Sequence, residues 1–201
     1  MAPRTGERKL QILQTLASML EHPRGERVTT AALAARLSVS EAALYRHFAS
    51  KAQMFEGLIE FIESSVFSLV NRISADEPDG HRQVHAMVAL LLSFAEKNPG
   101  MVRVLIGDAL LSEDERLQIR INQLLDRVES TLRQALRVAT VAESGESDLS
   151  AAAISAHANL LLCYVIGRWQ QYARSGFKRL PTDISQRSGR CWPDDGRGQR
   201  G

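Results

Sequence analysis

Cysteine is nearly absent. Of 201 residues only Cys163 and Cys191 are cysteines, too few for a disulfide framework and without the spacing of a zinc module. Aromatic residues make up 5% of the chain, which argues against a large aromatic-lined ligand pocket. Long apolar runs are missing as well. The longest, Leu160 to Ile166, is bounded by Ser155, His157 and Asn159 on one side and Arg168 on the other. A bilayer span needs about 20 apolar residues, so this run reads as a buried helix and no membrane span is expected. The opening MAPRTGERKL has no apolar stretch, so no secretory signal is expected and the location is read as cytoplasmic. No glycine-rich phosphate loop, Ser/His/Asp arrangement or paired carboxylates occur, and neither an enzyme, a catalytic residue nor a cofactor is expected. His81 and His85 lie four apart, but no cysteine or well-spaced carboxylate completes a metal site around them.

A composition of 44% hydrophobic and 24% charged residues excludes wholesale disorder and suits one or two globular domains. The net charge of +2 hides an uneven distribution. Residues 1–51 hold eight basic residues (Arg4, Arg8, Lys9, Arg24, Arg27, Arg36, Arg46, Lys51) against four glutamates. The other 150 hold 17 basic and 19 acidic residues. A basic head on a mildly acidic body points to a polyanion as the head's partner.

No segment alternates as a half-buried strand does; the apolar periods are all near 3.6, so the chain is expected to be all-α. Leu10, Leu13, Ala17 and Leu20 form a first stripe, ended by His22-Pro23. A short helix starts at Thr29 or Thr30 and ends at Leu37, and Ser40 caps another over Glu41–His47. Ser50 with Gln53 forms a capping box for a long fourth helix, whose face runs Met54, Leu58, Ile62, Ser65, Val66, Leu69 and Ile73, with Phe67 off it. After the turn-rich 75–80 comes a fifth helix with Val84, Met87, Val88, Leu91 and Leu92 inward. Asn98-Pro99 reads as an N-cap with proline at the first helical position. Ser112 with Glu115 opens a helix from about Glu113 to Val138, in which Leu117, Ile121, Leu124, Val128 and Ala135 keep approximate heptad spacing. So short a repeat suits bundle packing better than a free-standing coiled coil. A loop is expected over 140–148, then a helix over Leu149–Arg174, apolar nearly all round, which needs cover a small monomer does not easily supply. That helix is expected to pair with its symmetry mate, with Cys163 as a small buried hydrophobe. From Thr182 onward, glycine, arginine and aspartate dominate and disorder is expected.

Three short helices, a long one and a basic bias suggest a helix-turn-helix. Thr29 to Phe48 is the bihelical unit, Ser38-Val39-Ser40 its turn, and Val39 the plug between its helices. The reading helix exposes small residues, Ala42 and Ala43, which let its backbone sit deep in a major groove. Tyr45, Arg46 and His47 follow where polar tips reach phosphates or base edges; Ser40 and Glu41 open the helix. Thr29 and Thr30 sit at a helix start that suits a phosphate, and Lys51 adds a point charge at the next. Any one of these residues alone fits a solvated helical corner; jointly they point to double-stranded DNA.

The stretch TTAALAARLSVSEAALYRHFASK closely resembles the TetR-type helix-turn-helix. MFEGLIEFIE, LLSFAEKNPG, RLQIRINQLLDRVE and SGFKRLPTD extend the likeness over about residues 8–183 to the SlmA branch, the nucleoid occlusion factors. The resemblance implies an N-terminal three-helix DNA-binding domain over 1–50, a linking helix over 51–74, and a helical bundle for regulation and dimerisation over 75–181. It implies a homodimer on palindromic chromosomal sites, one dimer or more per site, associated with the nucleoid. It also implies that the DNA-bound form binds the tubulin-like division protein FtsZ and disrupts its polymers. The FtsZ contact then falls between the fourth and fifth helices, where Phe61, Leu90, Lys97 and Asn98 could edge a groove; Phe61 as core and Asn98 as a mere cap is the plainer alternative. Two departures stand out. Ser38 occupies a turn position usually held by glycine, costing about 1 kcal/mol if its φ is positive. The tail after Asp183 lacks the apolar end expected of the family. A ligand-responsive TetR-type repressor shares the head and is the competing function; it needs a roomy pocket in the body.

Overall fold

The structure is a computed structural model and describes residues 5–22, 28–111, 113–144 and 150–183. Among these the chain is helical throughout: α1 (Thr5–Leu20), α2 (Thr30–Arg36), α3 (Glu41–Tyr45), α4 (Lys51–Asp76), α5 (Gly80–Lys97), α6 (Pro99–Leu105), a 3₁₀ turn (Asp108–Leu110), α7 (Glu115–Ser144) and α8 (Ala151–Arg174). Helix α1 packs on α2, α4 and α6, while α5 is the hub of the body and lies against α4, α6, α7 and α8. One contiguous apolar cluster runs from Ile12 in α1 to Ala173 in α8, so head and body share a core.

Local chemistry sets the helix starts. The side chains of Thr29, Ser40, Ser50 and Ser150 each accept the backbone N–H of the third residue on, and Asp79 accepts those of His81 and Arg82. The N–H bond from Arg82, seconded by that from His81, holds the Asp79 carboxyl below its ordinary pKa. Gln53 returns the favour at α4 by accepting the N–H of Ala49 at 2.8 Å.

Several expectations change. In α1, Leu10 is 39% exposed, and Ile12 and Leu16 face the core instead. Phe67 is buried with the Arg127 guanidinium 3.8 Å from its ring centroid, whereas Leu69 points outward. Asn98 has no side-chain capping bond; its amide donates to the carbonyl of Phe94 at 2.8 Å. Helix α7 starts at Glu115 because Asp114 takes the N–H of Arg116, and it continues through 140–144, where a loop was expected. Its heptad-spaced residues Leu117, Ile121, Leu124, Val128 and Ala135 are all buried. Pro23, Ser112, the expected loop at 145–148, Cys191 and the tail from 184 onward lie outside the described residues.

By length and hydropathy α8 alone among the described helices could cross a membrane, yet it forms one side of the body. Trp169 is buried and donates its indole N–H to the carbonyl of Leu91 at 3.2 Å. Arg168, buried, donates to the carbonyls of Leu180 at 2.7 Å and Pro181 at 3.1 Å, folding the segment after α8 back onto it. Each of these bonds satisfies a polar group that burial would otherwise penalise.

Candidate nucleic-acid interface

The angle between α2 and α3 is fixed by three backbone features. Leu37 ends α2; Ser38 turns the chain at φ 55°; and the N–H of Val39 reaches the Ala34 carbonyl at 3.0 Å. The condition for a backbone cost at Ser38 is therefore met, a positive φ in a residue with a Cβ. Val39 is half-buried against the core, the plug its position suggested. Leu33 and Leu44, each 1% exposed, pin the inner faces of the two helices. Helix α3 is shorter than expected, ending at Tyr45 rather than His47. The N–H groups of His47 and Phe48 both close onto the Leu44 carbonyl, at 2.9 and 3.1 Å, and this tightening drives Phe48 inward.

With Leu44 facing inward, Ser40, Glu41, Ala42, Tyr45 and Arg46 are exposed, and Ala43 and His47 are half-buried. Thr29 is exposed and its oxygen is committed to the Ala32 N–H. Thr30, half-buried, donates its hydroxyl to Glu41 at 2.6 Å and ties the start of α2 to the start of α3. Glu41 thus sits at a helix N-terminus, where the dipole favours a carboxylate, and fixes α3 in register. The outer surface is a short helix of small residues flanked by Tyr45 and Arg46, a shape that fits a major groove.

Lys51 differs from its expectation. Its ammonium, read from sequence as an outward point charge, is bonded to Glu113 at 2.5 Å and lies 5.7 Å from the Phe55 ring centroid. Glu113 comes from the junction before α7, 62 residues away, and no local pattern could have announced it.

The second group of expected residues lies on α4 and α5. Phe61 and Leu90 are half-buried at the rim of the core, Lys97 ends α5 exposed, and Asn98 caps its C-terminus. Lys97, Asn98, Gly100 and Met101 also line a shallow cleft of about 170 Å³ with Gln14, Ala17, Ser18 and Glu21 of α1. A third surface was only partly foreseen. On α8, Leu160 is 66% exposed, and Cys163 and Tyr164 are exposed beside it. The buried thiol expected at Cys163 is therefore corrected: the helix has one face on the body and one face open.

Comparison with known proteins bears on both halves. The TetR family of bacterial regulatory proteins matches residues 24–58. The SlmA-like, tetracyclin repressor-like C-terminal domain matches residues 79–192, running past Asp183 into the compositionally distinct tail. The nucleoid occlusion factor SlmA of Idiomarina loihiensis is 50% identical over 183 residues, 91% of this chain and 92% of that one. The chain belongs to the SlmA family. Two further SlmA proteins, from Shewanella amazonensis and Marinomonas sp., are 54% identical over 88% of each chain and 47% identical over 96% of this chain and 93% of that one. Among solved structures, the transcriptional regulator FadR from Bacillus subtilis in complex with stearoyl-CoA superposes with a TM-score of 0.68. It is 13% identical and covers 89% of this chain and 94% of that one, a likeness of fold alone. This SlmA-family chain is thus a TetR-like all-α protein, helix-turn-helix head first and helical body second.

Proposed function

We propose that the chain is a DNA-binding nucleoid occlusion factor with no catalysis of its own. Two copies pair through the open face of α8, and their α3 helices enter successive major grooves of a pseudo-palindrome, about 34 Å apart. When bound to DNA, the dimer captures FtsZ along α4 and α5, around Phe61, Leu90, Lys97 and Asn98, and disrupts its polymers. The observation that carries the reading is identity of about half the residues, from 47% to 54%, with SlmA proteins over 88–96% of the chain. Exposure of Ala42, Tyr45 and Arg46 around an inward Leu44 supports the DNA half. The interior of the body is filled by Met87, Leu91, Leu92, Leu124, Leu162 and Trp169, which gives the ligand-responsive repressor no added support.

FtsZ sedimentation tests the whole reading. Loss of polymer from the pellet is expected only when protein and duplex DNA are both present; no loss under any condition refutes it. The DNA half has its own check. Arg46→Ala removes an exposed cation at the end of α3, so it should weaken duplex binding and reduce the salt slope by about 0.9. An unchanged slope in a titration from low to moderate salt refutes the phosphate role of Arg46.

A further inference from the structure

The Lys51–Glu113 pair joins the two halves of the molecule at a particular place. Lys51 is the first residue of α4, six residues after the end of α3, on the face read here as the DNA surface. Glu113 belongs to the junction between α6 and α7, and the pair is only 23% and 11% exposed. The junction turns the chain sharply. Gly107 stands at φ 84°, a 3₁₀ turn follows, and the N–H of Glu113 closes onto the Leu110 carbonyl at 3.0 Å. Two further ion pairs run along the same α4–α7 seam, from Glu63 to Arg127 at 2.8 Å and to Arg120 at 3.9 Å.

A cation at the edge of a DNA-reading head serves affinity when it meets a phosphate, yet here its charge is already answered by a carboxylate. The same ammonium cannot bond both fully, so duplex and Glu113 compete for it. Once Lys51 leaves, Glu113 is a mostly buried carboxylate without its cation, and the cheapest relief is movement of its backbone toward water. We propose that Glu113 stands in for a DNA phosphate in the free protein, lowering affinity for DNA and releasing the α6–α7 junction when DNA binds. The inference rests on the reading of Thr29–Lys51 as the DNA face. It makes Glu113 a positioning residue for that face and carries DNA occupancy to the start of α7, the helix that packs on α4, α5 and α8.

The competition leaves a mark in the salt dependence. In the parent, Lys51 leaves one anion for another and releases almost no net counterion. In Glu113→Gln the free ammonium displaces a counterion from the duplex. Glu113→Gln should therefore bind duplex about fivefold more tightly, with log K against log salt steeper by about 0.9. In a Lys51→Ala background the same substitution should have no effect. Asp114→Asn, which removes a neighbouring carboxylate whose nearest cation is Arg116 at 3.9 Å, should give less than half the gain. Amide exchange over residues 110–117 of the parent should quicken when duplex is added. Equal affinity and slope for Glu113→Gln and the parent, a gain that persists without Lys51, or slower exchange at the junction overturns the proposal. A parent protein that binds no duplex at low salt overturns the DNA reading and this proposal with it.

Discussion

Replacing Gly100 by alanine should lower the unfolding midpoint by about 6–12 °C, a loss of roughly 3 kcal/mol for a chain of this size. A Cβ at this position would collide with the carbonyl oxygen of Ala17 and stand 2.8 Å from its carbon. Both are backbone atoms inside a helix, so no rotamer change relieves the clash and α1 must part from α6. Parting them costs more than one contact. Ala17, Met101 and Val102 meet in a core that head and body share. The cleft lined by Gln14, Glu21, Lys97 and Asn98 lies beside the same crossing. Duplex affinity should fall as the head loses its fixed bearing on the body. Gly6→Ala is the control: a Cβ there meets nothing within 4 Å and sits in the exposed first turns of α1. It should hold or slightly raise the midpoint through helix propensity. A midpoint for Gly100→Ala within about 2 °C of the parent would show that the crossing of α1 and α6 is loose.

What was legible in the sequence follows from how far apart the interacting residues are. The helix-turn-helix is written in bonds spanning three to five residues: Thr29 to Ala32, Ser40 to Ala43, Val39 to Ala34 and Ser50 to Gln53. Such bonds depend on residue type and spacing alone, so their positions could be read directly. Helix faces were harder. Helix α1 carries Leu10, Ile12, Leu13, Leu16, Ala17 and Leu20, two overlapping stripes, and only the surfaces of α4 and α6 decide that Ile12 and Leu16 go in and Leu10 stays out. The partner of Lys51 was invisible for a stronger reason. Glu113 is one of 23 acidic residues, and only the folded path of α4, α6 and the turn brings this one within bonding distance. Asn98 shows a local signal half kept: it stands at the N-cap of α6 with Pro99 following, but its side chain turns back to donate to the Phe94 carbonyl of α5 and makes no capping bond. Cys163 shows what a single-chain pattern omits: an apolar helix is covered on one side by its own chain, and the sequence does not say what covers the other.

That open face carries the second large effect. Leu160→Glu should leave a folded monomer and weaken duplex binding by about 100-fold or more. Ala152, Ala156, Leu160, Cys163 and Tyr164 are exposed at helical spacing along α8, so an apolar strip is left uncovered by the single chain. On this strip Leu160 is 66% exposed, and Tyr164 and Cys163 stand one turn further along. A carboxylate at 160 disturbs little within one chain. Across a twofold axis it is desolvated twice without a cation, a penalty of several kcal/mol that pairing of the helices would have to overcome. The loss of DNA affinity follows from geometry, since one head on one half-site forfeits the effective concentration that the second head supplies. Leu162 gives the contrast. It is 6% exposed, on the opposite side of α8, where it faces the body, so Leu162→Glu should unfold the chain rather than divide the dimer. Light scattering together with circular dichroism separates the two outcomes. Halved mass at unchanged helicity is expected for Leu160→Glu, and lost helicity for Leu162→Glu. Parent-like mass and parent-like duplex affinity for Leu160→Glu would place the twofold interface elsewhere than on α8.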